Sequence, residues 1–110
     1  MLFMKKKYFE AIRAGRKTMT IRYWRRRLVR PGQVCRVRGL GRLRIESIEQ
    51  VNLADLTDEH AAAEGFDSVA RLRQELLGLY PVLADEVPGE RQLFAIRFTY
   101  LPEPGERGTR

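Results

Sequence analysis

One cysteine, Cys35, and one histidine, His60, are all that the 110 residues hold of the two side chains that most often carry metals and redox chemistry. A single thiol closes no internal disulfide, and no Cys/His group of metal-ligand spacing exists, so neither a metal nor another cofactor is implied. Cys35 reads as a small core residue, and as a nucleophile only with His60 as its base. Long apolar runs are missing too. Met1-Leu2-Phe3-Met4 gives way at once to Lys5-Lys6-Lys7, too short for a signal peptide or a membrane span, which points to a cytoplasmic protein. No repeat or linker interrupts the chain. Aromatics at 9%, with nine glycines and five prolines, argue against both a disordered and a fibrous protein.

What is present is one basic globular domain, with 44% apolar residues to build a core. The formal net charge is +7, and its distribution says more than its total. Residues 1–44 carry 15 Lys and Arg against the single acid Glu10, whereas residues 45–110 carry six basic and 13 acidic residues. Charges so segregated along the chain predict a strongly positive face, which attracts phosphates and favours nucleic acid as partner.

Residue patterning predicts about five strands and three short helices. Leu2 to Met4 suits an edge strand, followed by a helix over Lys5 to Ala14 whose stripe is Tyr8, Phe9 and Ile12 and whose stop is Gly15. Thr18 to Trp24 is rich in β-branched and aromatic residues and reads as a strand. After Arg25-Arg26-Arg27 and the Pro31-Gly32 turn come strands over Val34 to Arg38 and Leu43 to Val51, with a bulge suggested at Ser47-Ile48. Thr57 caps a helix ended by Gly65, and His60 reads as a side chain of that helix. Ser68 caps another helix that runs to Leu79, with Val69, Leu72, Leu76 and Leu79 facing the core. Leu93 to Tyr100 closes the fold as a strand. Residues 1–101 thus form a single domain, and 102–110 read as a flexible tail. Because no strand-helix-strand rhythm recurs, the class is α+β and the architecture a small mixed barrel.

The densest polar text is Gly15-Arg16-Lys17-Thr18-Met19-Thr20-Ile21-Arg22. On a pleated strand Thr18, Thr20 and Arg22 share one face while Met19, Ile21 and Tyr23 take the other toward the core. Lys17 falls in the turn, from which its side chain can fold over Thr20. Glu64 ends its helix against the helix dipole, a misplacement that costs roughly 0.3–1 kcal/mol and hints at a cation partner. A second candidate site is Arg25-Arg26-Arg27 beside Tyr23 and Trp24, because guanidinium forks bind phosphate and an exposed aromatic stacks a base.

Gly15, Lys17, Thr20 and Arg22, in the pattern G-x-K-x-x-T-x-R after a helix, resemble the ASCH family, whose small barrels are related to the RNA-binding PUA domains. Pro31-Gly32, Leu56-Thr57 through Glu64-Gly65-Phe66, and Leu79-Tyr80-Pro81 extend the resemblance over roughly residues 3–100. It implies a PUA-like β-barrel with peripheral helices, and a basic cleft around Lys17, Thr20, Arg22 and Glu64 that holds RNA or a ribonucleoside; the residues expected to contact nucleic acid are Arg16, Arg22, Tyr23, Trp24, Arg25, Arg26 and Arg27. One bacterial branch of the family hydrolyses the acetyl amide of N(4)-acetylcytidine with a Lys, a Thr and a Glu. By position those roles fall on Lys17, Thr20 and Glu64. RNA strand cleavage, a further activity type in the family, needs a base and an acid near a ribose hydroxyl, and nothing in the residues separates it from the hydrolase. Where the amidohydrolase branch has acidic and polar residues after the motif, this chain has Tyr23-Trp24 and three arginines.

The chemistry is physically coherent. A threonine hydroxyl is a poor nucleophile until a base within hydrogen-bond reach accepts its proton. A lysine serves as that base only when neutral, which requires burial or like charge to lower its pKa, and Arg16 and Arg22 push that way.

Overall fold

The β-branched and aromatic stretch behind the Gly15 turn forms strand β1, Met19–Trp24, and three further strands complete one sheet: β2 (Val34–Val37), β3 (Gly41–Val51) and β4 (Gln92–Leu101). The structure, a computed structural model, describes residues 2–85 and 89–102. The expected tail beyond Pro102 lies outside the described residues. Strand order is β1-β4-β3-β2 and every neighbouring pair is antiparallel, so the last strand inserts between the first and the third. The sheet curls into half a barrel with helices α1 (Phe9–Arg13), α2 (Asp58–Glu64) and α3 (Val69–Leu79) around it. The fold is α+β, with four strands among the described residues rather than about five. No helix among them is long and apolar enough to cross a membrane.

The strand expected at Leu2–Met4 does not form. Leu2 and Met4 are buried in the core, and the Phe3 carbonyl accepts a hydrogen bond from the Arg22 guanidinium instead of entering a ladder. Two inward side chains satisfy the apolar pattern without any strand pairing. The helix expected over Lys5 to Ala14 divides into a short 3-10 helix at Lys6–Tyr8 and α1, with Phe9 and Ile12 buried.

Alternation along β4 sends Phe94, Ile96 and Phe98 into one cluster and Leu93 and Ala95 into another. Leu2, Met4, Phe9 and Ile12 cover the first cluster, together with Cys35 and Leu43 from β2 and β3. Ala61 of α2 and Leu72 and Leu76 of α3 cover the second, against Met19 and Ile21 of β1. In β3 the register against β4 shifts between Ile45 and Ser47, so the bulge falls at Glu46, just ahead of the expected Ser47-Ile48. The extra residue keeps the inward phase: Leu43 and Ile45 point to the first cluster before it, and Ile48 packs there after it.

The ends of α2 follow from their residue types. Thr57 accepts from the His60 backbone N–H while His60 Nδ1 accepts from the Thr57 N–H at 3.0 Å, a capping box in which an imidazole takes the usual place of a carboxylate. At the other end Gly65 adopts φ +93°, Phe66 N–H reaches Ala61 O at 2.8 Å and Gly65 N–H reaches Ala62 O at 3.0 Å. That pair of bonds is a Schellman motif, which needs a left-handed residue at Gly65. Ser68 caps α3 by accepting from Arg71 N–H at 3.2 Å. Leu72 and Leu76 are buried and Val69 packs beside them, but Leu79, expected in the core, is 47% exposed. As the last residue of α3 it borders the cavity described below instead of the second cluster.

Gly65→Ala tests the motif. The added Cβ meets only ordinary contact, with Lys17 Cβ at 3.9 Å, so the penalty is that of the backbone conformation. The expected loss is about 1–2 kcal/mol, read in thermal unfolding as a fall of roughly 4–8 °C per kcal/mol. An unchanged melting temperature would show that the left-handed cap is dispensable.

Candidate functional site

The N–H of Thr18 donates to Ala63 O at 2.8 Å, which ties the entry of β1 to the last turn of α2 and brings two segments far apart in sequence into register. Lys17 therefore lies beside Glu64. Its ammonium donates to Glu64 Oε1, to Glu64 O at 3.3 Å and to Met19 O at 2.9 Å. The other carboxylate oxygen, Oε2, accepts from Ile21 N–H at 2.7 Å. Glu64 sits at the unfavourable end of its helix because a cation waits there. Lys17 Nζ also stands 4.9 Å from the centroid of the Tyr8 ring, a cation–π contact.

Thr20 points from the face of β1 that it shares with Arg22. Arg22 Nε donates to Thr20 Oγ1 at 3.0 Å, and Arg22 Nη2 donates to the Phe3 carbonyl. Lys17, Thr20 and Glu64 are the buried polar or charged side chains among the described residues, each exposed by less than a tenth. All three, with Arg22, line one cavity of about 290 Å³ walled by Tyr8 and Tyr80. A larger hollow of about 910 Å³ beyond Tyr23 holds Arg73 and Arg91, but among the described residues no carboxylate, threonine or serine. Size alone does not make it the reactive site.

Burial pushes the Lys17 amine below its ordinary pKa, and the Arg22 charge adds to this, while Glu64 opposes both. Burial likewise pushes the Glu64 carboxyl up, against the pull of Lys17, the Ile21 N–H and Arg22. One pKa falls and the other rises, and both changes favour the neutral form. They bring the state in which the proton has passed from Lys17 to Glu64 closer in energy than it would be in water.

Four residues singled out in the sequence thus meet in one cavity: Lys17, Thr20, Glu64 and Arg22. The others lie off its walls. Arg16 is exposed and pairs with Glu10 at 3.3 Å. Tyr23 packs on Tyr80, with ring centroids 5.2 Å apart, and Trp24 packs on Phe94 and the first core cluster. Arg25 pairs with Glu90 at 3.5 Å, Arg27 lies over the Phe94 ring at 5.3 Å, and Arg26 is exposed. The residue patterning did not single out Tyr8, Tyr80 or Glu75 as cavity residues. For Glu75 a signal existed, since it stands three residues after Leu72 and four before Leu79, on the flank of the leucine stripe of α3. Among the described residues no cluster of His, Cys, Asp and Glu could hold a metal ion.

The buried pair makes a stability prediction. Glu64→Leu alone leaves a buried ammonium without its counter-charge, and the expected loss is about 3–5 kcal/mol in urea unfolding. The double variant Lys17→Met/Glu64→Leu removes both charges and recovers most of that loss. A double variant as unstable as the sum of the two singles would show that the charges do not depend on each other.

No family model matches the chain. It is 34% identical over 104 residues to an N(4)-acetylcytidine amidohydrolase of Klebsiella pneumoniae subsp. pneumoniae, an alignment that covers 86% of this chain and 90% of that protein. Among solved structures it is similar to an ASCH domain from Lactobacillus crispatus JV V101, with TM-score 0.70, 16% identity, and coverage of 91% of this chain and 77% of that one. It is also similar to protein EF3133 from Enterococcus faecalis V583, with TM-score 0.61, 20% identity, and coverage of 92% and 82%. Sharing a third of its residues with the first along most of both chains, and its fold with the second, the chain belongs to the ASCH-domain family.

Proposed function

We propose that this protein is an amidohydrolase that removes the acyl group from an N(4)-acylated cytidine held in the Lys17/Thr20/Glu64 cavity. The observation that carries the reading is the buried Lys17–Glu64 pair, which shares one small concavity with a buried threonine hydroxyl. Identity to a protein named for this reaction supports it. So does size: at about 290 Å³ the cavity stands at the small end of ligand sites, which suits one nucleoside rather than a stretch of RNA. Tyr8 and Tyr80 supply ring faces for a base.

In the proposed reaction Lys17 first yields a proton to Glu64 and becomes the neutral amine that a base must be. Thr20 Oγ attacks the acyl carbon as Lys17 takes the hydroxyl proton. The Arg22 Nε–H already points at Oγ1 and eases the loss of the hydroxyl proton to Lys17. The carbon–nitrogen bond then breaks, the proton on Lys17 passes to the departing exocyclic nitrogen, and cytidine leaves. Water, deprotonated by Lys17, attacks the acyl ester on Thr20, and that proton passes from Lys17 to Thr20 Oγ as the ester bond breaks and the hydroxyl is restored. The released acid gives its proton to solvent and Glu64 returns its proton to Lys17, so each turnover consumes one water and releases one proton with the carboxylate.

Cytidine release from N(4)-acetylcytidine tests the reading. Lys17→Ala and Thr20→Ala are each expected to lower kcat by about 100-fold or more. Because the neutral amine is the active form and its pKa is lowered, the wild-type rate should rise with pH and level off below the ordinary lysine range. Equal release by both variants would remove the mechanism, and no release by the wild type would remove the activity.

A second reading, in which the chain also binds single-stranded RNA, is favoured by the loop after β1. Arg25 and Arg26 are exposed there beside Trp24, within residues 1–44, which carry 15 of the 21 Lys and Arg. Affinity for single-stranded RNA should fall with salt at a log–log slope of about 0.7 per phosphate neutralised, and the slope should shrink in a variant with Arg25, Arg26 and Arg27 replaced by Ser. Salt-independent binding would dismiss this reading.

A further inference from the structure

Glu75 is a half-buried carboxylate on α3 that lines the cavity from a different element than β1, which carries Thr20. Among the described residues it has no hydrogen-bond or ion-pair partner. Most other charges around the cavity are committed. Lys17 is matched by Glu64, and Arg22 is held by Thr20 and the Phe3 carbonyl. Lys5, at the rim, is exposed to water. A carboxylate accepts hydrogen bonds and donates none, so it welcomes hydroxyl groups and repels anions. Glu75 stands on the flank of the apolar stripe, beside Leu72 and Leu76, with its acceptor oxygens open to a ligand in the cavity.

Resting on the amidohydrolase reading above, we propose that Glu75 is a specificity-determining residue which selects free ribonucleosides by accepting hydrogen bonds from sugar hydroxyls and rejecting phosphorylated forms. The scissile amide must lie at Thr20 and Lys17, so the base extends away from β1 and its sugar is carried toward another wall of the cavity. Within RNA the 3′ and 5′ oxygens of a nucleotide are esterified to anionic phosphates. A carboxylate at this wall disfavours such a residue and favours the same base on an unmodified ribose. Glu75 thereby sets the substrate class of a cavity whose remaining polar groups would bind either form.

The test compares turnover of N(4)-acetylcytidine, its 2′-deoxy form and its 5′-monophosphate, together with binding of cytidine and cytidine 5′-monophosphate followed by NMR titration. Glu75→Gln keeps a hydrogen-bond acceptor but removes the charge. It is expected to shift kcat/KM and affinity toward the 5′-monophosphate, relative to the nucleoside, by about fivefold or more at low salt. The shift should shrink at high ionic strength, which a packing defect would not produce. Glu75→Leu is expected to show the same shift and also to lose discrimination between ribose and deoxyribose. Thermal unfolding checks that both variants are folded. Ratios that stay within twofold of the wild type in both variants would overturn the inference. Cytidine release with unmoved ratios sinks the selectivity of Glu75 and leaves the hydrolase standing. A binding ratio that moves without any cytidine release sinks the hydrolase and leaves the selectivity. Absence of both turnover and binding removes the two together.

Discussion

Two opposite charges withdrawn from water persist only if each is compensated, and the Lys17–Glu64 pair meets that condition with little to spare. The carboxylate takes the ammonium on one oxygen and the Ile21 N–H on the other, while the ammonium takes two backbone carbonyls besides. In a low-dielectric setting the loss of one partner leaves the other with a desolvation penalty that nothing repays. Burial also disfavours the charged form of both groups, which lowers the cost of moving a proton from Lys17 to Glu64. What makes the pair costly to hold is what the proposed hydrolysis would use.

Much of the architecture around the pair serves to hold it in place. Gly65 lets the chain leave α2 in a left-handed turn, so that Phe66 returns to the Ala61 carbonyl and Glu64 keeps a defined direction. The Thr18–Ala63 backbone bond fixes the distance between α2 and β1. Strand alternation then places Met19 and Ile21 in the second core cluster while Thr20 and Arg22 face the other way. Arg22 links the site to the N-terminal segment, since one guanidinium bonds both the Thr20 hydroxyl and the Phe3 carbonyl. A segment that pattern alone assigned to a strand acts instead as a wall of the cavity.

The positive charge that dominates residues 1–44 is partly offset in space. Glu46 pairs with Arg44 and Glu90 with Arg25, so acids of the second part of the chain meet arginines of the first. Such exposed pairs contribute little and screen readily in salt, so they trim the field of the basic surface without holding the fold together. The buried pair differs in kind. It is shielded from salt and tied by backbone bonds to two elements, which is why it bears on stability.

Local signals were enough to read most elements: the caps at Thr57 and Ser68, the stop at Gly65, the β-branched run into Trp24 and the disturbed alternation near Ser47. Each depends on neighbours within one or two turns of chain, and backbone sterics with side-chain hydrogen bonding act at that range. The motif around Lys17, Thr20 and Arg22, and the odd placement of Glu64, were legible for the same reason. What the sequence could not decide was which distant surfaces meet. Leu2–Met4 has the pattern of a strand, yet a strand exists only where a partner ladder is free, and here Arg22 takes the Phe3 carbonyl instead. Leu79 keeps the spacing of a core residue, but burial needs a neighbour to cover it, and at the end of α3 it borders the cavity. The meeting of Lys17 with Glu64, 47 residues apart, and the turning of Glu75 toward the same cavity came only from tertiary packing, because residue patterning carries no distance between elements.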